Sequence, residues 1–407
     1  MLFNSTGYAD REGPMKRSGR MHFVLVLIAL MGIVFFAGCD KQKPVSEIKA
    51  GAIFDLSGAT YEISVPYADG IRRYVDYINE KGGINGRKVK LIDLDYGYLI
   101  PRAKVAYEKL INEKVHVILG WGTGDTEYLR PRIAEDKIPF MSASYSSKLG
   151  IIDEAPYNFL IGVTYSDQMK IVLKFILDQW KDPSRKPRVA FIYSDTEFGK
   201  SPIPDGRAYA ASIGIEVVTE EIVSLDAREA KEQLLRIKQK KADFAVLQET
   251  TWAASVILKD AKKMKLDTRF IGLNWCADEK LIALAGEASE GFIGAVPFEF
   301  TDPAMPAIAK FMEYNRRKGI DIEGYILRNI QGWATAEVML EGVRLAGDDL
   351  SGPGIQKALE SMRNYSTGGI TAPVTFTASD HRGCKQLKLG EVKNGRWQIM
   401  TGYLSAD

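Results

Sequence analysis

The run Ile78-Asn79-Glu80-Lys81-Gly82-Gly83-Ile84-Asn85-Gly86-Arg87-Lys88-Val89 changes one kind of secondary structure into another within a few positions. Upstream of it, Ile71, Tyr74, Val75 and Ile78 recur at the i, i+3, i+4, i+7 spacing, which predicts a helix over 66–80 with one apolar face. Gly82-Gly83 ends that helix, because glycine takes the left-handed cap conformation without strain. Asn85-Gly86 then makes a turn, and 88–94 alternates as a strand. With the apolar strand 48–54 before it, the unit reads strand, helix, strand.

The same cycle continues along the chain. Helix 101–113, strand 115–120, helix 126–135 and strand 138–141 complete a first series. A second series runs from helix 167–180 through strands 188–193, 215–223, 242–247 and 268–272, separated by helices 205–213, 228–240 and 252–264. Short strands alternating with helices predict an α/β fold with parallel sheets covered on both faces. Asp302-Pro303 predicts a helix start, followed by helical stretches 303–317, 325–346 and 351–362. The tail 374–403 reads as strands with a hairpin turn at Asn394-Gly395. Two doubly wound sheets with late segments crossing back fit this order better than one very wide sheet.

The N-terminal region has a different character. Lys16, Arg17 and Arg20 precede an apolar run over 22–36 that closes on Ala37-Gly38-Cys39. A run of ~15 residues suits a signal segment better than a bilayer-spanning helix. A cysteine directly after Ala-Gly resembles a lipobox, so 1–38 is expected to be a lipoprotein signal with Cys39 the lipidated first residue. The alternative is an uncleaved anchor with an incidental cysteine. Residues 39–47 read as a tether, and Asp40 resembles a signal for retention on the inner membrane.

The chain carries 54 Lys+Arg against 52 Asp+Glu, and removing 1–38 leaves 50 of each. A neutral balance gives no electrostatic reason to expect nucleic acid as a partner. Cys276 and Cys384 are expected as free thiols, since a chain of this size needs no disulfide. Enzyme readings lack parts: His22 lies in the signal, and His116 and His381 have no neighbour at metal-ligand spacing. Gly199-Lys200-Ser201 lacks the earlier glycine of a phosphate loop, and Pro202 and Pro204 remove donors from the next turn. No catalytic residue, metal or cofactor is expected.

Gly120-Trp121-Gly122-Thr123-Gly124 follows an apolar strand without the dinucleotide spacing. Its glycines let backbone amides and the Thr123 hydroxyl approach a small ligand at the carboxyl edge of a sheet. The next strand end, 142–147, presents Ser144, Tyr145 and Ser146 in the same region. Hydroxyl–amide loops suit a carboxylate; a solvated serine turn is the plainer alternative.

Together these segments resemble the periplasmic substrate-binding proteins of ABC transporters, of the leucine/isoleucine/valine-binding type. The resemblance is carried by 48–58, by the 78–89 run, by Gly120 to Thr123, by Ile138-Pro139 to Ser142, and by Phe198-Gly199. It implies two Rossmann-like lobes, a three-strand hinge and a ligand cleft. The lobes are expected as 48–163 with 297–350, and 164–296 with 351–407. It places carboxylate-binding loops on Gly122-Thr123 and on Ser144 to Ser146, and an aromatic wall at Tyr61. In the second lobe it places Phe198 where the family has a tyrosine, and Thr250 beside Glu249 after the fifth strand. The acidic residue that holds a ligand ammonium falls on Asn274, and a neutral amide cannot offset an ammonium's desolvation. Either Glu249 takes that role or the ligand carries no ammonium. Trp121, Tyr145, Phe198, Trp252 and Trp275 add aromatic area around these loops.

The expected function is a lipid-anchored solute-binding component of an ABC importer, with a small carboxylate or amide ligand of apolar body. Branched-chain or other hydrophobic amino acids and aromatic acids qualify. The expected partners are that ligand and membrane permease subunits, with the protein a monomer on the periplasmic side of the cell envelope. A sensory receptor of the same fold reporting to a regulatory partner is the alternative.

Overall fold

A computed structural model describes residues 47–300, 304–322, 324 and 326–406. The expected signal, Cys39, all but the last residue of the tether and the Asp302-Pro303 helix start lie outside the described residues.

In chain order the first half contains β1 (Ile48–Phe54), α1 (Tyr61–Glu80), β2 (Val89–Asp95), α2 (Ile100–Asn112), β3 (Val117–Gly120), α3 (Thr123–Asp136) and β4 (Phe140–Ser142). Next come α4 (Tyr165–Gln179), β5 (Arg188–Tyr193), α5 (Glu197–Lys200), α6 (Ile203–Ser212), β6 (Glu216–Ile222), α7 (Lys231–Gln239) and β7 (Phe244–Gln248). They are followed by α8 (Thr251–Lys263), β8 (Arg269–Gly272), α9 (Glu279–Ala285), β9 (Ile293–Val296), α10 (Pro306–Lys318), α11 (Ile326–Ala346) and α12 (Gly352–Glu360). The chain closes with β10 (Gln386–Lys393), β11 (Arg396–Ile399) and β12 (Leu404–Ser405).

The first sheet has the order β2-β1-β3-β4, all parallel, with Ile48 opposite Val89 and Ala50 opposite Val117. The second sheet has β6-β5-β7-β8-β9 in parallel, then β10 and β11 antiparallel. The expectation of parallel sheets therefore needs one correction: the second sheet is mixed. The cause is local, because Asn394 and Gly395 both have positive φ and close a hairpin that must run antiparallel. The tail also departs from continuous strand over its first part. Between α12 and β10 only isolated bridges occur, such as Tyr365 with Val374 and Leu160 with Arg382. Val374, Phe376 and Cys384 alternate because they are buried under an irregular crossing, not because they form a ladder.

In each sheet the strand order turns back beside the first strand, between β1 and β3 and again between β5 and β7, which are the switch points where open α/β sheets bind ligands. The chain passes between the two sheets three times: after β4, after β9 and after α12. The residues of 78–89 explain one anchor of the first sheet. Asn79 bonds both ways to Val89, donating to its carbonyl at 2.7 Å and accepting from its amide at 2.8 Å. That pair fixes the end of α1 to the start of β2. Asn85 and Arg87 donate to the carbonyls of Arg344 and Gly347 at the end of α11, where a helix leaves acceptors unpaired.

α1 and α11 cross at very short range. A Cβ on Gly70 would lie 1.9 Å from the Asn329 carbonyl, and one on Gly332 would lie 1.9 Å from that of Tyr67. Trp333, fully buried, then fills the space among Tyr74, Tyr77, Phe311 and Tyr314. Cys276 and Cys384 are both buried free thiols bonded to different carbonyls, Glu249 and Ala372. Among the described residues no helix is long and apolar enough to cross a membrane.

Candidate functional site

A cavity enclosing about 270 Å³, including space open to solvent, lies where the carboxyl ends of the two sheets face each other. From the first sheet it is lined by Thr60 and Ile63 after β1, Tyr98 after β2, Trp121, Gly122 and Thr123 after β3, and Ala143 after β4. From the other side come Tyr165 at the start of α4, Phe198 after β5, Thr250 after β7 and Trp275 after β8. Parallel strands all deliver their following loops to one edge, so eight separate chain segments converge here.

The helices that begin at this edge matter electrostatically. α3 starts after Gly122, which has no side chain to cap it, and carries the buried Asp125 in its first turn, whereas α8 starts after Thr250, whose side chain does not bond the first amides. The positive end of each dipole therefore lies at the cavity rim, and at α3 the Asp125 carboxylate, which accepts the Gly122 amide, already offsets part of it. The lining contains no ionisable side chain other than two tyrosines. Burial pushes the Tyr165 hydroxyl up to about 12 and that of Tyr98 well above its ordinary range. Both are neutral hydrogen-bonding groups at physiological pH.

The polar positions are hydrogen-bonded to one another in short groups. The Thr123 and Ser144 hydroxyls lie 2.8 Å apart. The Trp275 indole donates to the Tyr165 hydroxyl at 2.9 Å, and the Trp121 indole donates to Thr60 at 2.8 Å. Thr60 in turn donates to the buried carboxylate of Asp55 at 2.7 Å, which also accepts the Gly58 and Thr60 amides. The two indoles meet edge to face with centroids 5.1 Å apart, so the halves touch across the cleft through aromatic walls.

Six of the residues singled out from the sequence line the cavity: Trp121, Gly122, Thr123, Phe198, Thr250 and Trp275. Ser144 reaches it through Thr123. Tyr145 lies behind the wall, its ring stacked at 6.3 Å on Trp275 and its hydroxyl accepting from Gln331 at 2.9 Å. The Ser146 hydroxyl is spent on Glu127 at 2.7 Å. Tyr61 is 49% exposed and stands at an outer mouth opposite Trp252, which is 37% exposed. Thr60, Ile63, Tyr98, Ala143 and Tyr165 line the cavity and carry no motif; their common mark is position, at most nine residues past a strand end or at a helix start.

Glu249 and Asn274 are buried beside the cavity without lining it. Among the described residues neither Glu249 carboxyl oxygen and neither Asn274 side-chain polar atom has a hydrogen-bond partner. Burial holds the Glu249 carboxyl well above its ordinary range. In the folded protein it therefore keeps its proton to higher pH than in the unfolded chain. Its contribution is most favourable below the unfolded pKa and is lost as pH rises toward the folded value. Glu249→Gln should accordingly raise the melting temperature more near pH 7 than near pH 3, where both states are protonated. Equal shifts at the two pH values would show that Glu249 is not held neutral.

Residues 47–396 match a family described as periplasmic binding protein. The chain is 22% identical over 325 residues to the leucine-, isoleucine-, valine-, threonine- and alanine-binding protein of Pseudomonas aeruginosa, covering 79% of this chain and 84% of that one. It is also similar to a branched-chain amino acid ABC transporter structure from Thermus thermophilus with bound valine. That likeness has a TM-score of 0.83 and 26% identity, covering 88% of this chain and 97% of that one. A fatty acid ABC transporter substrate-binding protein from Thermomonospora curvata shares the fold at a TM-score of 0.79 and 22% identity, with 88% and 92% covered. One fold thus carries solutes of different chemistry, and the ligand must be argued from the site.

Proposed function

Because the chain belongs to the periplasmic binding protein family, we propose that it is the solute-binding component of an ABC importer, not an enzyme. Its ligand is a small carboxylate with an apolar body, held between the two sheets. The observation that carries this reading is the cavity itself, lined from both sides by residues that follow strand ends, with the N-termini of α3 and α8 at its rim. A carboxylate there meets backbone amides and the Thr123 hydroxyl. The body of the ligand packs against Trp121, Phe198, Trp275 and Ile63. Hydrophobic amino acids and aromatic acids both satisfy this description. For an amino acid, Glu249 is the nearest candidate to receive the ammonium, which would draw it into the ionised form.

We assign the halves as 48–163 with 297–360, and 164–296 with 361–407, joined by the three crossing segments; the boundary expected at 350 moves past α12 because Gln356 of that helix donates to the Pro156 carbonyl at 2.9 Å. A ligand touching both halves favours the closed arrangement by the contacts it makes only there. The lipid anchor at Cys39 would keep this receptor on the periplasmic side beside its permease.

Thermal unfolding in the presence of single solutes tests the reading. A correct ligand at a hundredfold excess over its dissociation constant adds about 2.7 kcal/mol, a shift of several degrees. Leucine, valine, phenylalanine and benzoate-type acids form the first panel. If no hydrophobic amino acid, amide or aromatic acid moves the transition, the assigned ligand class is wrong.

A further inference from the structure

Arg328, near the start of α11, crosses from the α1–α11 pair of the first half to the loop after β8 in the second. Its Nε donates to Asp278 at 3.0 Å, and Nη2 donates to the carbonyls of Asn274 and Trp275, each at 3.2 Å. The guanidinium lies 4.7 Å from the centre of the Trp275 ring, and Nη1 donates to Gln331, whose amide holds the Tyr145 hydroxyl. The side chains of the pair are 3% and 2% exposed. We propose that Arg328 is a positioning residue that couples closure of the cleft to placement of its Trp275 wall. The proposal rests on the reading of the cavity as a solute site.

The partners of this pair keep different bonds when the halves separate. Asp278 retains bonds of its own half, from the Thr251 hydroxyl at 2.7 Å and the Leu281 amide at 3.0 Å. The Trp275 carbonyl lies 3.1 Å from the same Thr251 hydroxyl, whose single proton it shares with Asp278. Of these partners Arg328 retains Gln331, within its own helix. The loop therefore folds without Arg328, whereas the desolvated pair exists only when the halves meet. Removing the arginine leaves Asp278 buried without a countercharge in the closed arrangement alone, a penalty that selectively disfavours closure.

Spin labels at Val105→Cys on α2 and Leu235→Cys on α7, both exposed positions on outer helices, report the separation of the halves. Distances are measured without solute and with L-leucine, for wild type, Arg328→Met and Arg328→Met/Asp278→Asn. The wild type should show a population at the distance of this structure, and Arg328→Met should reduce it roughly a hundredfold relative to the open form. The double variant should recover at least about tenfold, because no buried charge is left unpaired. An unchanged closed population in Arg328→Met, no recovery in the double variant, or no closed population in wild type under either condition overturns the proposal. If L-leucine leaves the wild type unmoved while Arg328→Met still depletes its solute-free closed population, the coupling stands and leucine is not the solute.

Discussion

Thr123→Val should weaken solute binding by about 10- to 100-fold while leaving the melting temperature of the solute-free protein nearly unchanged. The substitution keeps the shape of the side chain and removes its hydroxyl. In the proposed complex that hydroxyl donates to a carboxylate, and hydrogen bonds to charged groups contribute about 1.5–3 kcal/mol. The same hydroxyl lies 2.8 Å from Ser144, so Ser144→Ala should weaken binding by a smaller factor, through the orientation of Thr123. Titration calorimetry with the solute found by thermal unfolding measures both. Equal, small losses for the two variants would place the carboxylate elsewhere in the cleft.

The second large effect concerns the scaffold. Gly70→Val and Gly332→Val should each destabilise the protein by about 3 kcal/mol or more, because the new side chain collides with backbone rather than with a side chain that can turn away. The obstructing atoms are the carbonyls of Asn329 and Tyr67, each 1.9 Å from the added Cβ. A drop of roughly 5–10 °C in the thermal midpoint follows. Gly402→Ala, where an added Cβ meets nothing within 4 Å, should be close to neutral and serves as the control. A Gly70→Val protein melting with the wild type would mean that α1 and α11 do not cross as closely as described. Since α11 also carries Arg328, such looseness would weaken the proposed coupling too.

Much of the fold is legible in the chain because parallel α/β units write their punctuation locally. Gly83 has φ of +80°, and Asn85 and Gly86 have φ of +50° and +77°, so the residues that signal a helix end and a turn are the ones the backbone needs. The crossing segments are less legible. His381 is fully buried, stacked on Phe159 and bonded to the Asn158 carbonyl, and such partners lie too far away in sequence to leave a pattern. The site divides along the same line. Gly122 and Thr123 advertise themselves through glycine spacing, whereas Tyr98 and Tyr165 reach the cavity only because strand order brings their elements together. Ser146 shows the opposite error source: a hydroxyl in a convincing loop is taken by Glu127, which sits on a neighbouring helix.

The central claim is that the cavity between Thr123 and Trp275 holds a small apolar carboxylate. The most direct measurement is mass spectrometry of whatever is released on denaturing the purified protein, compared between wild type and Thr123→Val. A single small carboxylate with an apolar or aromatic body is expected, near one equivalent in wild type and strongly depleted in the variant. Release of a cationic, polyanionic or nucleotide compound, or equal retention by Thr123→Val, would contradict it.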